Sequence, residues 1–168
     1  MNTLYSKEIM EHFKNPKNVG RIKNPSGLGR AGNKICGDIM YLYLKIKRNR
    51  KGVEIISDIK YETYGCVVAI ANTSLLSTMI KGKTLEEAAK VTKEDLIKKF
   101  KQVPLIKIHC SLLAVDALSE AIYDYFLKNK REISEELQKK HERIEKEKKE
   151  IGRRHAELVK LEEELHGK

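Results

Sequence analysis

The apolar pattern of this chain predicts an α+β fold, on three observations. Residues 39–48 alternate, with Met40, Leu42, Leu44 and Ile46 on one face and Tyr41, Tyr43, Lys45 and Lys47 on the other, the period of a half-buried strand. The turn residues Asn49-Arg50-Lys51-Gly52 then lead into a second strand over about 53–64, with Val53, Ile55, Ile59 and Tyr61 among its members, so the pair forms an antiparallel hairpin. Helical spacing takes over on both sides of this hairpin.

The first helix is expected over residues 4–14. Ser6 can cap it, Leu4, Ile9, Met10 and Phe13 fall on one side, and Asn15-Pro16 ends it because a residue before proline avoids the helical region. Residues 16–35 read as loop. Within them Gly27-Leu28-Gly29-Arg30-Ala31-Gly32 spells G-x-G-x-x-G. A dinucleotide fingerprint needs a strand before its glycines and a helix opening within them. Here the glycines follow Asn24-Pro25-Ser26 and lead into a strand, so they read as a flexible connection.

After the hairpin, Val67, Val68, Ile70, Ala71, Leu75, Met79 and Ile80 give a helix over 67–80 with a broad apolar face, stopped by Gly82. Thr84 with Glu87, and Thr92 with Asp95, open two short helices. Pro104 precedes a long helix at about 111–128, buried through Leu112, Leu113, Ala117, Leu118, Ala121, Ile122, Tyr125 and Phe126. Beyond 129 the chain turns charged. Leu137, Ile144, Ile151, Leu158 and Leu165 recur every seven residues, but Ser134, His141, Lys148, His155 and Glu162 stand where a coiled coil wants its second apolar seam. The tail is read as one charged helix with a narrow stripe, packed along the domain or against another copy. Its histidines read as polar seam residues. The expected division is a domain at 1–128 and a helical tail at 129–168, a possible oligomerisation element.

Composition excludes several classes. No run of apolar residues is long enough to cross a membrane. The start, Met1-Asn2-Thr3-Leu4-Tyr5-Ser6-Lys7-Glu8, lacks the basic-then-apolar order of a secretory signal, so a cytoplasmic setting with reduced thiols is expected. The net charge of +10 lies in the first 130 residues, since residues 131–168 hold equal numbers of acids and bases. That charge could serve nucleic acid, an acidic protein partner or solubility alone, and without a helix-turn-helix, finger spacing or aromatic RNA-binding signature nucleic acid is the least favoured.

The chemistry sits on the cysteines. There are three, with no Cys-x-x-Cys, which fits neither a disulfide framework nor a zinc ribbon. Each stands at a junction of elements beside Gly, Asp or His: Ile35-Cys36-Gly37-Asp38, Tyr64-Gly65-Cys66, and Lys107-Ile108-His109-Cys110. Residues two apart in extended chain point the same way, so Cys36 and Asp38 can face one site. Cys66 and Cys110 open helices, where the backbone stabilises negative charge, so both are expected to lean towards thiolate. Free cysteines are usually small buried hydrophobes. Three at such junctions point instead to metal or sulfur chemistry. Three thiolates with Asp38 or His109 make four ligands, enough for tetrahedral zinc or a [2Fe–2S] cluster. A thiol protease would need a Cys paired with a His base, and a His directly before the Cys has awkward geometry for that.

These residues resemble the IscU/NifU-type iron–sulfur cluster assembly scaffolds over about 3–128. The likeness rests on Tyr5-Ser6, Asn15-Pro16-Lys17-Asn18-Val19-Gly20, Cys36-Gly37-Asp38-Ile39-Met40, Tyr64-Gly65-Cys66 with Ala69-Ile70-Ala71, and Lys107 through Ala114. It implies a three-stranded antiparallel sheet packed with helices. It implies ligands at Cys36, Asp38, Cys66, His109 and Cys110, a cysteine desulfurase that passes persulfide sulfur to Cys110, and Lys107 beside the site. It further implies a role for Asp38 in cluster lability and iron entry, for Tyr5 in dimerisation, and apo iron–sulfur proteins or a carrier as recipients. On this reading the chain is a scaffold and not a turnover enzyme. Two departures stand out: Val67-Val68 follow the second Cys where the family has small residues, and Val103-Pro104-Leu105-Ile106-Lys107 has lost one proline of a chaperone-read motif. The alternative is a zinc-dependent sulfurtransferase of the SufU kind, holding zinc in the same site. His109 favours the scaffold, since those relatives lack this His.

Overall fold

The computed structural model describes residues 4–101 and 103–166. Met1–Thr3 of the expected N-terminal reading, Gln102, and the side chains of Glu162 and Leu165 in the seven-residue series lie outside what is described. The expected α+β architecture is present: a three-stranded antiparallel sheet in the order β1-β2-β3, with helices packed on it and a long helix at the C-terminal end.

The first helix, α1 (Lys7–Lys14), starts later than the pattern suggested. The Ser6 hydroxyl accepts from the Ile9 amide at 3.2 Å, and Leu4 lies outside the helix, 64% exposed. The following loop is tied to the sheet. The Gly20 amide donates to the Tyr61 carbonyl at 2.8 Å, and the Tyr61 amide to the Asn18 carbonyl at 3.1 Å. Ser74 and Ser77, buried on a later helix, accept from Lys17 N and Asn18 Nδ2. Their burial is tolerable because those bonds replace water.

The glycine run is where sequence and structure part. Gly27–Gly32 is not a flexible connection but the edge strand β1, paired with β2 in the register Gly29↔Leu42. A Cβ built on Gly27 would lie 2.2 Å from the Ala121 carbonyl oxygen, and one on Gly29 would lie 1.8 Å from that of Ala117. The glycines are there for the close approach of a helix backbone, which a side chain would block.

Strands β2 (Ile39–Arg48) and β3 (Glu54–Tyr64) form the expected hairpin. A bulge opposite Lys45 and Ile46 shifts the register, and Met40, Leu42 and Leu44 of β2 and Ile56 and Ile59 of β3 lie buried together. Val53 falls before the strand and is 43% exposed. Helix α2 (Val67–Ile80) and helix α5 (Ile108–Lys128) cover the inner face, with Leu76, Ile80, Leu113, Ala117 and Leu118 in one core. Both capping boxes form, opening α3 (Leu85–Ala89) and α4 (Lys93–Lys99). A 3-10 turn over Leu105–Lys107 feeds α5, which begins at Ile108, so His109 and Cys110 stand in its first turn.

The charged tail is α6 (Glu135–His166). Its stripe faces its own domain for most of its length: Ile144 is 1% exposed in the main core and Leu137 packs against it. The charged residues beside the stripe find buried partners. Arg143 donates twice to Asp116, at 2.6 and 3.1 Å, and His141 bonds Glu120 at 2.9 Å while stacking on Tyr123. Leu158, at 65% exposure, lies beyond this packing.

Candidate metal centre

Three parts of the chain deliver the centre. Cys36 and Asp38 lie on the loop between β1 and β2, Cys66 is the N-cap of α2, and His109 and Cys110 open α5. The loop is shaped from within by Asn33, which is 6% exposed. Its side-chain oxygen accepts from the amides of Ile35 at 2.9 Å and Cys36 at 3.4 Å, its carbonyl accepts from Gly37 N at 2.8 Å, and its amide donates to the Asp38 carbonyl at 2.9 Å. Gly37 takes a φ of +75°, where glycine carries no Cβ penalty. The sequence pattern does not single out Asn33, although Asn is a residue whose side chain bonds its own backbone two residues on, here to Ile35 N.

Asp38 joins the loop to α2. Its Oδ2 accepts from the Cys66 amide at 3.2 Å and lies 3.9 Å from Cys110 Sγ. A Cβ on Gly65 would come within 3.0 Å of that same oxygen, so the glycine before Cys66 is what lets the carboxylate in. The sulfurs of Cys66 and Cys110 are 3.4 Å apart. Two sets of three potential ligands, each within 4.8 Å, result: Cys36, His109 and Cys110, and Asp38, Cys66 and Cys110. Cys110 is common to both. His109 Nε2 is buried with no hydrogen-bond partner among the described residues, which is costly in a finished core and apt for a group that awaits a metal. All three cysteines are free.

The two helix-opening thiols do not share the expected charge. The Cys66 thiol is pushed down to about 6, chiefly by the hydrogen bond it receives from Cys110, helped by the amides of Ala69 and Val68 at the start of α2. Cys110 is pushed well up by that same hydrogen bond, by burial, and by the negative charge of Cys66, Cys36 and Asp38 around it. Burial likewise raises Cys36. Without metal, the pair therefore holds one proton, on Cys110, and one thiolate, on Cys66. A helix N-terminus favours thiolate, but a second thiolate at 3.4 Å opposes it more strongly. In metal-free protein, iodoacetamide is expected to label Cys66 first, at a rate that rises through about pH 6 and then levels, because only the thiolate reacts. Peptide mapping across that range checks this. Labelling of Cys110 ahead of Cys66 would overturn the assignment.

The remaining expected residues are placed as follows. Lys107 is the residue before α5 and makes no side-chain hydrogen bond or ion pair among the described residues. Tyr5 packs with Val103 against the small cluster of Val68, Ala69 and Cys110, beside Cys36 and Cys66. Near the candidate ligands in sequence, Ile35 is 73% exposed, Tyr64 76%, Leu105 84% and Ile106 75%, exposed apolar residues that the sequence pattern did not mark out. A third group, Glu120, His141 and Glu145, also has ligand spacing. There the ammonium of Lys148 contacts Glu145 and lies 4.0 Å from Glu120, taking the place of a cation.

Comparison with known proteins gives one direction. The NifU-like N terminal domain family matches residues 4–132. The chain is 48% identical over 126 residues to the iron–sulfur cluster assembly scaffold protein IscU 1 of Archaeoglobus fulgidus, covering 75% of this chain and 79% of that one. It is 44% identical over 131 residues to the IscU scaffold protein of Escherichia coli, covering 76% and 97%. Among solved structures, a SUF-system protein of Fervidobacterium islandicum, provisionally assigned as a cluster assembly scaffold, superposes with a TM-score of 0.56 at 27% identity, over 71% of this chain and 96% of that one.

Proposed function

The chain belongs to the NifU-like N terminal domain family, and on that premise we propose that it is a scaffold on which a [2Fe–2S] cluster is assembled and from which it passes to an apo-protein or carrier. The observation that carries this reading is the convergence of Cys36, Asp38, Cys66, His109 and Cys110 from three separate stretches, in two ligand sets that share Cys110. Thiolates suit iron–sulfur clusters, and a carboxylate or imidazole among them makes a cluster easier to give up than four cysteines would.

Sulfur arrives from a cysteine desulfurase as a persulfide. Cys110 passes its proton to the Cys66 thiolate 3.4 Å away, the Cys110 thiolate attacks the outer sulfur, the S–S bond to the donor breaks, and the donor cysteine leaves as thiolate. Two equivalents of an external one-electron reductant then cleave the S–S bond of the Cys110 persulfide, releasing sulfide and returning Cys110 as thiolate. Cys110 is fully buried, so docking must uncover it. The exposed Leu105 and Ile106 beside it, with Tyr64 and Ile35, offer the donor an apolar landing, and the basic surface of the domain suits an acidic partner. Lys107 supplies a positive charge near the incoming sulfur, and Tyr5, packed at the cluster, is a contact for a second copy during sulfur reduction. No helix among the described residues is long and apolar enough to cross a membrane, and a cytoplasmic setting would keep the thiols reduced.

A second reading, zinc-dependent sulfur transfer, draws on the Asp38, Cys66 and Cys110 set and on the likeness to the SUF-system protein, since the same ligands serve zinc. Anaerobic reconstitution with iron and sulfide separates the two. The expected product is a coloured protein with visible charge-transfer bands and about two irons per chain. A colourless protein that keeps one tight zinc would replace the first reading with the second.

A further inference from the structure

The family match ends at residue 132, before α6 begins. That helix reaches back across the domain to the loop that carries Cys36 and Asp38. Three contacts make the junction. Ile151 packs straight onto Gly32, the last residue of β1; a Cβ there would lie 2.7 Å from Ile151 Cδ1. Arg154 Nη1 donates to the Lys34 carbonyl at 2.9 Å. Glu150 holds the corner, accepting from Arg154 Nη2 at 3.0 Å and pairing with the Lys34 ammonium at 3.5 Å. Lys34 stands two residues before Cys36, and the amides of Ile35, Cys36 and Gly37 all bond Asn33, its neighbour on the other side.

We propose that α6 is a clasp on the metal centre: Ile151, Glu150 and Arg154 position the Asn33–Asp38 loop and so set how firmly Cys36 and Asp38 hold what the centre binds. The inference rests on the metal-binding reading of the site. Two of the five candidate ligands ride on this loop, one in each ligand set. Exposed ion pairs alone stabilise weakly. Here they act with the packing of Ile151, further along a helix anchored in the core by Ile144. Gly27 and Gly29 meet helix backbone, whereas Gly32 meets the tip of the Ile151 side chain, so the contact there belongs to the tail. A centre that must hold a cluster and then release it needs a part that can let go without unfolding the domain. The clasped loop is that part, because it lies outside the sheet and is held at Lys34 by α6 and at Asp38 by the start of α2.

The test uses the full chain with Ile151→Ala and Arg154→Ala together, Arg154→Lys as the conservative variant, and Arg153→Ala as a control, whose own ion pair with Glu157 touches no loop residue. Hydrogen exchange of the metal-free protein should show the amides of residues 35–37 exchanging about fivefold faster or more in the double variant, with near wild-type rates in Arg154→Lys and Arg153→Ala. Titration with cobalt(II) should show wild-type sulfur-to-cobalt bands that weaken in the double variant, with affinity lower by about fivefold or more. Unchanged exchange at 35–37 overturns the clasp whatever the metal does. Faster exchange with unchanged cobalt spectrum and affinity overturns its action on the centre. A wild-type protein that gives no sulfur-to-cobalt band defeats the metal reading itself, while the exchange data still decide whether α6 holds the loop.

Discussion

Replacing Cys110 with Ser is expected to weaken cobalt or zinc binding by about 100-fold or more, and Cys36→Ser or Cys66→Ser by distinctly less. Loss of a partner behind a ligand already costs about 10–100-fold, and loss of a ligand itself costs more. The difference between the three variants comes from geometry. Cys36 and Cys66 each belong to one ligand set, and removing either leaves the other set whole; Cys110 belongs to both. Serine keeps the hydrogen bond that Cys110 donates to the Cys66 sulfur, so the buried site stays satisfied and the fold should survive. The same variant should take up no persulfide from a desulfurase, whereas Cys36→Ser should retain uptake. Chelator competition for affinity and mass spectrometry for persulfide check both. Equal losses from all three variants would deny Cys110 its shared place, and wild-type persulfide loading on Cys110→Ser would move the acceptor elsewhere.

What could be read in the sequence follows from which forces leave a mark on single residues. The β2–β3 hairpin was legible because burial of one face writes a period of two into Met40, Leu42 and Leu44. The capped helices were legible because Thr84 and Thr92 satisfy backbone amides locally. Strand β1 left no such mark, since its burial comes from the backbone of α5 lying against glycines. The pattern of residues alone gave two strands there; only the likeness to a family implied a third. The seven-residue stripe of the tail was visible, but a stripe does not say what covers it. For Leu137 and Ile144 the cover is the core of the same domain. At the centre, element junctions with Gly, Asp or His marked out the cysteines. The division of charge between Cys66 and Cys110 was beyond reach, because it depends on a 3.4 Å contact between residues 44 apart in the chain.

The glycines permit a stability series whose order depends on their surroundings and not on their residue type. Gly29→Ala is expected to cost about 3 kcal/mol or more, at the upper end of overpacking penalties, and to leave little folded protein at physiological temperature. The new Cβ would stand 1.8 Å from the Ala117 carbonyl oxygen and 2.7 Å from the Ala121 amide nitrogen, both backbone, so no rotamer change can relieve it. Strand and helix would have to separate along the whole β1–α5 contact. Gly52→Ala meets nothing within 4 Å, but its φ of +78° belongs to the left-handed region, so about 1 kcal/mol is expected. Gly152→Ala also meets nothing, and it lies inside α6, where alanine is the better helix former by about 1 kcal/mol. That variant should be more stable than wild type. Urea denaturation of the three orders them. A Gly29→Ala protein within 1 kcal/mol of wild type would mean that β1 can stand off from α5 at little cost. Such slack would reach the metal centre, because β1 runs directly into the loop that presents Cys36 and Asp38 while α5 presents His109 and Cys110. The close glycine contact thus bears on the distance between the two halves of the centre, and a fold that tolerated alanine there would bring the two candidate ligand sets together less closely.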